Sequence, residues 1–196
     1  MMNDGALAEF AKGLRGLVIA RNHPDYEEAR KLYNAMIDKR PLAIARCSDV
    51  ADVMAAINFG RDNKLPIAVR GGGHNGPGFG SVDDGLVIDL SMMKGVRVDP
   101  AKRTVRVEGG CVTGDVDHAT SAFGQAVPFG VVSTTGVSGL TLSGGHAISA
   151  VNTVSPWTIC LRLTWCWPTA GSLLPRRLRT RTCFGRYGAA AETSAS

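Results

Sequence analysis

No stretch of the 196 residues approaches 18 continuous apolar positions, so the chain offers no candidate for a membrane-spanning helix. The N-terminal segment MMNDGALAEFAKGLRG carries acids early and lacks an apolar core, so no secretory leader is expected. The expected location is therefore the cytoplasm. Five cysteines are present with no paired spacing, which argues against a disulfide framework. Cys160, Cys166 and Cys183 lack C-x-x-C spacing and nearby histidines, so no zinc site is expected, and no other metal site. Repeats and low-complexity segments are absent as well.

Charge is present but unevenly spread. The net +5 of the whole chain arises beyond residue 146, where six arginines face the single acid Glu192. Residues 1–146 are neutral overall. All three tryptophans, Trp157, Trp165 and Trp167, also lie in that last quarter. Such a break divides the chain into a helical lead-in over 1–40, a domain over 41–146 and a distinct tail over 147–196.

The densest chemical signal is PIAVRGGGHNGPGFG, Pro66–Gly80. An apolar run ends at Arg70, and six of the next ten residues are glycine. Glycines let successive backbone N–H groups turn toward an anion, and His74 adds an imidazole inside that loop. Gly71, Gly73 and Gly76 satisfy G-x-G-x-x-G, but that dinucleotide fingerprint must open a helix. Pro77, Gly78 and Gly80 follow instead, so a Rossmann unit is disfavoured. A surface turn with a chance histidine is the bland alternative.

Around this loop the periodicities alternate. Asp25–Glu28 looks like a helix start, and Ala29, Leu32, Tyr33, Met36 and Ile37 recur at helical spacing up to Pro41. Leu42–Arg46 and Pro66–Arg70 read as strands. Between them lies a helix capped by Ser48, with Val50, Val53, Met54 and Ile57 as its apolar face. This is a parallel β-α-β unit. Leu86–Leu90, Val96–Val98 and Thr104–Val107 read as further strands, the last two joined by a turn at Asp99–Lys102. Gly114–Phe123 reads as a helix with Val116, Ala119 and Phe123 inward. The fold class expected is α+β, a small parallel βαβ unit joined to a mixed sheet with helices.

Five segments occur in a telling order: RGGGHN, GLVIDLS (Gly85–Ser91), VRVDP (Val96–Pro100), VRVEGG (Val105–Gly110) and VPFGVVSTTGVSGLTLSGGH (Val127–His146). Together they resemble the FAD-binding, PCMH-type domain of the vanillyl-alcohol oxidase / p-cresol methylhydroxylase superfamily, in particular its berberine-bridge-enzyme-like members. The resemblance runs from about Leu14 to His146. It implies an FAD-dependent oxidoreductase acting on a small organic substrate, with O2 as electron acceptor. Arg70, Gly71, Gly72, Gly73, His74, Asn75 and Gly80 would contact FAD, the loop amides wrapping its pyrophosphate. Thr134, Thr135, Gly136, Val137, Gly139, Thr141 and Gly144 would form a second contacting segment. His74 matches the histidine that bonds the flavin covalently. Val132 stands where some members place a second, cysteinyl attachment, so one attachment is implied. Ser143 replaces a family glycine, His146 would shape the loop, and Cys111 would pack in the core. The resemblance names no catalytic base and no particular substrate.

The tail fits a shifted reading frame. Trp has one codon, so Trp165-Cys166-Trp167-Pro168 leaves the underlying bases almost no freedom. Moved back by one base, that string encodes Val-Val-Leu-Ala. Extended along the tail, the same shift yields YGLTVDN and RGGGGNFGI, strings the resembled family carries after GLTLGGGH. One base is therefore expected to be missing just after the His146 codon, and the chain as written is expected to be an inactive fragment that binds, or once bound, FAD. The other reading takes the tail at face value. RRLRTR (Arg176–Arg181) would then be a basic patch on a non-enzymatic remnant. A nucleic-acid partner is disfavoured, because aromatic interleaving with a groove-binding fold is missing.

Overall fold

A computed structural model describes residues 4–143 and two short strands at 182–184 and 189–191. Its centre is a four-stranded sheet in the order β1-β2-β4-β3. These strands are β1 Leu17–Ala20, β2 Ala43–Arg46, β3 Ile67–Arg70 and β4 Leu86–Asp89. Strand β4 lies between β2 and β3 and is parallel to both, while β1 is antiparallel to β2. The β2–β3 crossover contains α3, Val50–Asp62. The α+β expectation holds, and the mixed character comes from β1, which the periodicity did not single out.

The strands are apolar because both sheet faces are covered. Leu86 and Ile88 of β4 join Ala43, Ala45 and Ala56 in one core, against Val53, Ile57 and Phe59 of α3. Leu7 and Phe10 of α1 (Asp4–Lys12) pack there too, with Phe10 stacked on Phe59 at 4.2 Å. Val87 and Ile44 point the other way, into a second core with Ile19, Tyr26 and Ala29. This is period-two alternation with neither face in water, so the run LVID shows no polar alternation. Each fully buried Leu, Ile or Val contributes about 1.5–3 kcal/mol.

A smaller unit follows. The hairpin β5 (Val96–Asp99) and β6 (Thr104–Val107) pairs Val96 with Val107 and Asp99 with Thr104. Val96, Val105 and Val107 pack on Cys111, Val116 and Val137, which joins the hairpin to α4 (Thr113–Ser121) and α5 (Val137–Ser143). Strands β7 (Thr182–Phe184) and β8 (Ala189–Ala191) form an antiparallel pair.

Four local readings need correction. The helix expected from residue 25 to Pro41 ends after one turn, as α2, Tyr26–Ala29. Residues beyond it wrap the glycine loop instead: Tyr33 N–H donates to the Gly73 carbonyl at 3.2 Å, and Asn34 Nδ2 to the Gly76 carbonyl at 3.0 Å. Helix α3 is capped by Asp49 rather than Ser48, its carboxylate accepting from the Asp52 N–H at 3.0 Å. Val50 is half-exposed, and the buried positions of α3 are Asp52, Ala56 and Gly60. Phe123 lies past the end of α4 and is half-exposed, so it is not part of the core.

Asp52 ties these elements together. Its buried carboxylate accepts from the backbone N–H groups of Arg15, Gly16 and Ser48, each at 2.9 Å. Asp52→Ala would strand these donors, and the expected loss is about 2–4 kcal/mol of unfolding free energy. Glu9→Ala, which removes only the exposed pair with Lys12, should change it by less than about 0.5 kcal/mol. Urea titrations of both variants check this.

Candidate functional site

Three strands end at one level. Arg46, Asp89 and Arg70 are register partners across β2, β4 and β3. Arg70 Nη2 donates to Asp89 Oδ2 at 2.8 Å, and both side chains are buried. Arg46 Nε sits 3.5 Å from the same oxygen, close enough to pair as ions. Asp89 Oδ1 accepts from the Ser91 N–H at 3.0 Å, which turns the chain out of β4. The charges lie at the carboxyl ends of parallel strands, where open α/β sheets place their ligands. A cleft of about 400 Å³ opens there, lined by Arg46, Arg70, Asp89, Lys31, Tyr33 and Gly71–Gly73.

The glycine loop leaves β3 directly after Arg70. Gly73 adopts φ 69°, a conformation that side chains resist. A Cβ on Gly72 would lie 2.4 Å from the Gly136 nitrogen, so the loop touches the second glycine segment backbone to backbone. A Cβ on Gly71 would instead meet the Ser138 side chain, 2.6 Å from its Oγ, and that Oγ donates to the Gly109 carbonyl at 2.8 Å. His74 Nε2 lies 2.9 Å from Thr134 Oγ1, across 60 residues of sequence. Its ring stacks on Tyr33, with centroids 3.9 Å apart and planes 18° from parallel. Burial, which disfavours the charged imidazolium, lowers the His74 pKa below its ordinary value.

The structure therefore brings Arg70, Gly71, Gly72, Gly73 and His74 together with Thr134 and Gly136. Gly80 is buried beside the Arg70 stem. Asn75 is exposed, and its Oδ1 accepts from the Phe79 N–H at 2.9 Å. Thr135 donates its N–H to the Val132 carbonyl and accepts from the Thr113 N–H, so its backbone is engaged by neighbouring loops. Val137 turns its side chain into the core with Cys111 and Val116, and Thr141 is buried. Gly139 stands open, with no atom within 4 Å of a built Cβ. Gly144 and His146 lie outside the described residues, as does the proposed frame break.

Sequence reasoning missed Arg46, Asp89, Tyr33 and Ser138. A signal for the first two existed. AIAR, IAVR and LVID each carry three apolar residues and then a charge, so aligned strands stack those charges in one row. Cys111 is a buried core thiol, as expected, and burial raises its pKa. Cys47 is pushed up to about 12 by burial and by Asp52, Asp89 and Asp49, which makes it inert at neutral pH. Among the described residues no cluster could hold a metal ion, and no helix is long and apolar enough to cross a membrane.

Among the described residues, none of the backbone N–H groups from Gly71 to Gly76 donates to a backbone carbonyl. Arg46 Nε is buried and, among the described residues, has no hydrogen-bond partner. A Cβ on Gly76 would meet nothing within 4 Å. Open donors, an underused guanidinium and free space above the loop suit an anionic ligand such as a pyrophosphate.

Comparison with known proteins points the same way. The sequence profile described as "FAD binding domain" matches residues 41–163. An FAD-linked oxidoreductase of Dictyostelium discoideum is 42% identical over 139 residues, 70% of this chain and 30% of that protein. The (R)-6-hydroxynicotine oxidase of Paenarthrobacter nicotinovorans is 34% identical, over 67% of this chain and 29% of that enzyme. The chain thus spans about 30% of the length of the curated relatives it matches. Among solved structures, 6-hydroxy-D-nicotine oxidase from Arthrobacter nicotinovorans superposes with a TM-score of 0.67 at 33% identity, covering 69% of this chain and 30% of that one. The BBE-like 1 protein of Physcomitrella patens gives 0.70 at 28%, covering 75% and 32%.

The backbone contact at Gly72 yields a direct test. Gly72→Ala forces a methyl against the Gly136 backbone, which cannot swing aside. The variant should lose about 1–3 kcal/mol of stability, by the usual cost of overpacking. Gly76→Ala meets open space and should stay within about 1 kcal/mol of wild type, the scale of a glycine-to-alanine backbone effect. Thermal unfolding of the two variants side by side checks the contrast.

Proposed function

The chain belongs to the FAD binding domain family, and on that footing we propose that it is the cofactor-binding part of an FAD-linked oxidase of small organic molecules. The observation that carries this reading is the convergence of the 71–76 loop, whose amides have no backbone acceptor among the described residues, with the 134–139 segment. The loop amides and Arg46 would hold the pyrophosphate, and Thr134 and Gly139 would border the flavin. Bound FAD supplies a two-electron acceptor for substrate oxidation, and O2 is the proposed final acceptor. The backbone and Arg70 orient the loop, while Asp89 holds the Arg70 guanidinium in place.

His74 is the proposed point of covalent attachment. With Nε2 facing Thr134, the other ring nitrogen is left to bond the 8α-methyl carbon. That bond replaces one methyl C–H and one imidazole N–H. Such an attachment would be a two-electron oxidation, for which O2 would serve as the oxidant, taking up the two hydrogens as hydrogen peroxide. Val132 has no thiol, so the attachment is single. In the full-length, frame-restored protein, His74→Ala should abolish covalent flavin while retaining part of the non-covalent binding, because the cradle is made of backbone. Mass spectrometry of denatured, flavin-loaded protein decides. Flavin still bound to the alanine variant would move the attachment elsewhere.

The tail reading is proposed alongside. One base is missing after the His146 codon, and restoring it should open a longer frame encoding YGLTVDN and RGGGGNFG. Resequencing that codon and its surroundings tests this. A stop codon directly after the restored base, or neither string, would contradict it. The protein as written is then inactive as an oxidase.

A further inference from the structure

His74 is held from two sides, by Thr134 and by Tyr33. Thr134 Oγ1 lies 2.9 Å from Nε2, its one hydrogen bond among the described residues. Tyr33 covers one ring face at 3.9 Å, and its own N–H is tied to the Gly73 carbonyl. The brace is therefore part of the same loop it steadies. Met36 N–H donates to Asn34 Oδ1, and Asn34 Nδ2 reaches the Gly76 carbonyl, which fixes the segment carrying Tyr33. A neutral imidazole carries one proton, and the partner of one nitrogen decides which nitrogen keeps it. A threonine hydroxyl can accept Nε2–H and leave the Nδ1 lone pair available.

We propose that Tyr33 and Thr134 are positioning residues that hold His74 in the Nε2–H tautomer with Nδ1 presented for bond formation. The inference rests on the reading of His74 as the flavin-bearing residue. A nucleophilic ring nitrogen must be unprotonated, and burial, which disfavours the imidazolium, serves that end. Two charged side chains pack on the loop: Arg70, behind Gly73, with its guanidinium committed to Asp89, and Lys39, whose Nζ donates to the Gly78 and Ser81 carbonyls at 2.9 and 3.0 Å. Stacking fixes the ring plane, and the hydrogen bond fixes rotation within it. Neither residue is asked to touch the cofactor through these contacts.

Histidine nitrogen NMR of the whole chain, without flavin, reads the tautomer directly. Wild type should show His74 with the proton on Nε2. Thr134→Val should mix the two tautomers, and Thr134→Ser should restore the wild-type signature. Tyr33→Leu should raise the His74 pKa toward the ordinary value, and Tyr33→Phe should leave it low. With FAD added, denaturing mass spectrometry times the attachment. Thr134→Val should slow it about tenfold, the scale of one hydrogen bond. A proton on Nδ1 in wild type overturns the proposal without any variant having to fold. So does a tautomer unchanged in both Thr134→Val and Tyr33→Leu. If wild type takes no covalent flavin while the NMR signatures stand as described, the attachment reading falls and the clamp on His74 is upheld.

Discussion

Asp89 between two arginines is the contact on which the site is built. It sits in the last residue of β4, the one strand of the four flanked by parallel neighbours on both sides. Burying an unpaired carboxylate costs several kcal/mol, and the pair to Arg70 with the nearby Arg46 offsets that cost. The same geometry fixes where β3 ends. Arg70 is held by its side chain to Asp89 and by its carbonyl to the Leu90 N–H at 2.9 Å. The next residue is Gly71, so the loop begins from a rigid point.

From there the logic is steric. Gly72 and Gly136 touch through backbone, and Gly71 meets Ser138, so the two segments can approach only because side chains are missing at the contact. The approach spends those glycines on packing rather than on ligand. In the proposed reading, anion binding falls instead to the N–H groups, which among the described residues donate to no backbone carbonyl, and to the open side of Gly76. Tyr33 and Thr134 then close on His74 from the two flanks. Sheet, charge row, loop and imidazole form one chain of dependence, and the Asp52 carboxylate anchors β1 and α3 behind it.

Much of this was legible in the residues. The loop advertised itself by glycine density, and the strands by short apolar runs ending in a charge. The convergence of the loop with the 134–141 segment was implied by resemblance alone, since no periodicity connects them. The misread element is instructive. Ala29, Leu32, Tyr33, Met36 and Ile37 have helical spacing, yet Tyr33 and Met36 are largely exposed. Their spacing serves contacts with the loop: Leu32 beneath Gly73 and Gly80, Tyr33 on His74, Ile37 against Gly78. Tertiary contacts overrode local preference. Asp89 stayed hidden because a lone acid after an apolar run looks like a strand end, and its meaning appears only when three strands align.

Amide NMR of the isotope-labelled chain, titrated with FAD, tests the central claim most directly. The account predicts saturable shifts at the N–H groups of Gly71–Gly76, accompanied by shifts at Thr134–Gly139, with the amides of β5 and β6 largely unmoved. Binding that leaves the 71–76 amides in place, or shifts confined to the arginine-rich tail, would contradict it.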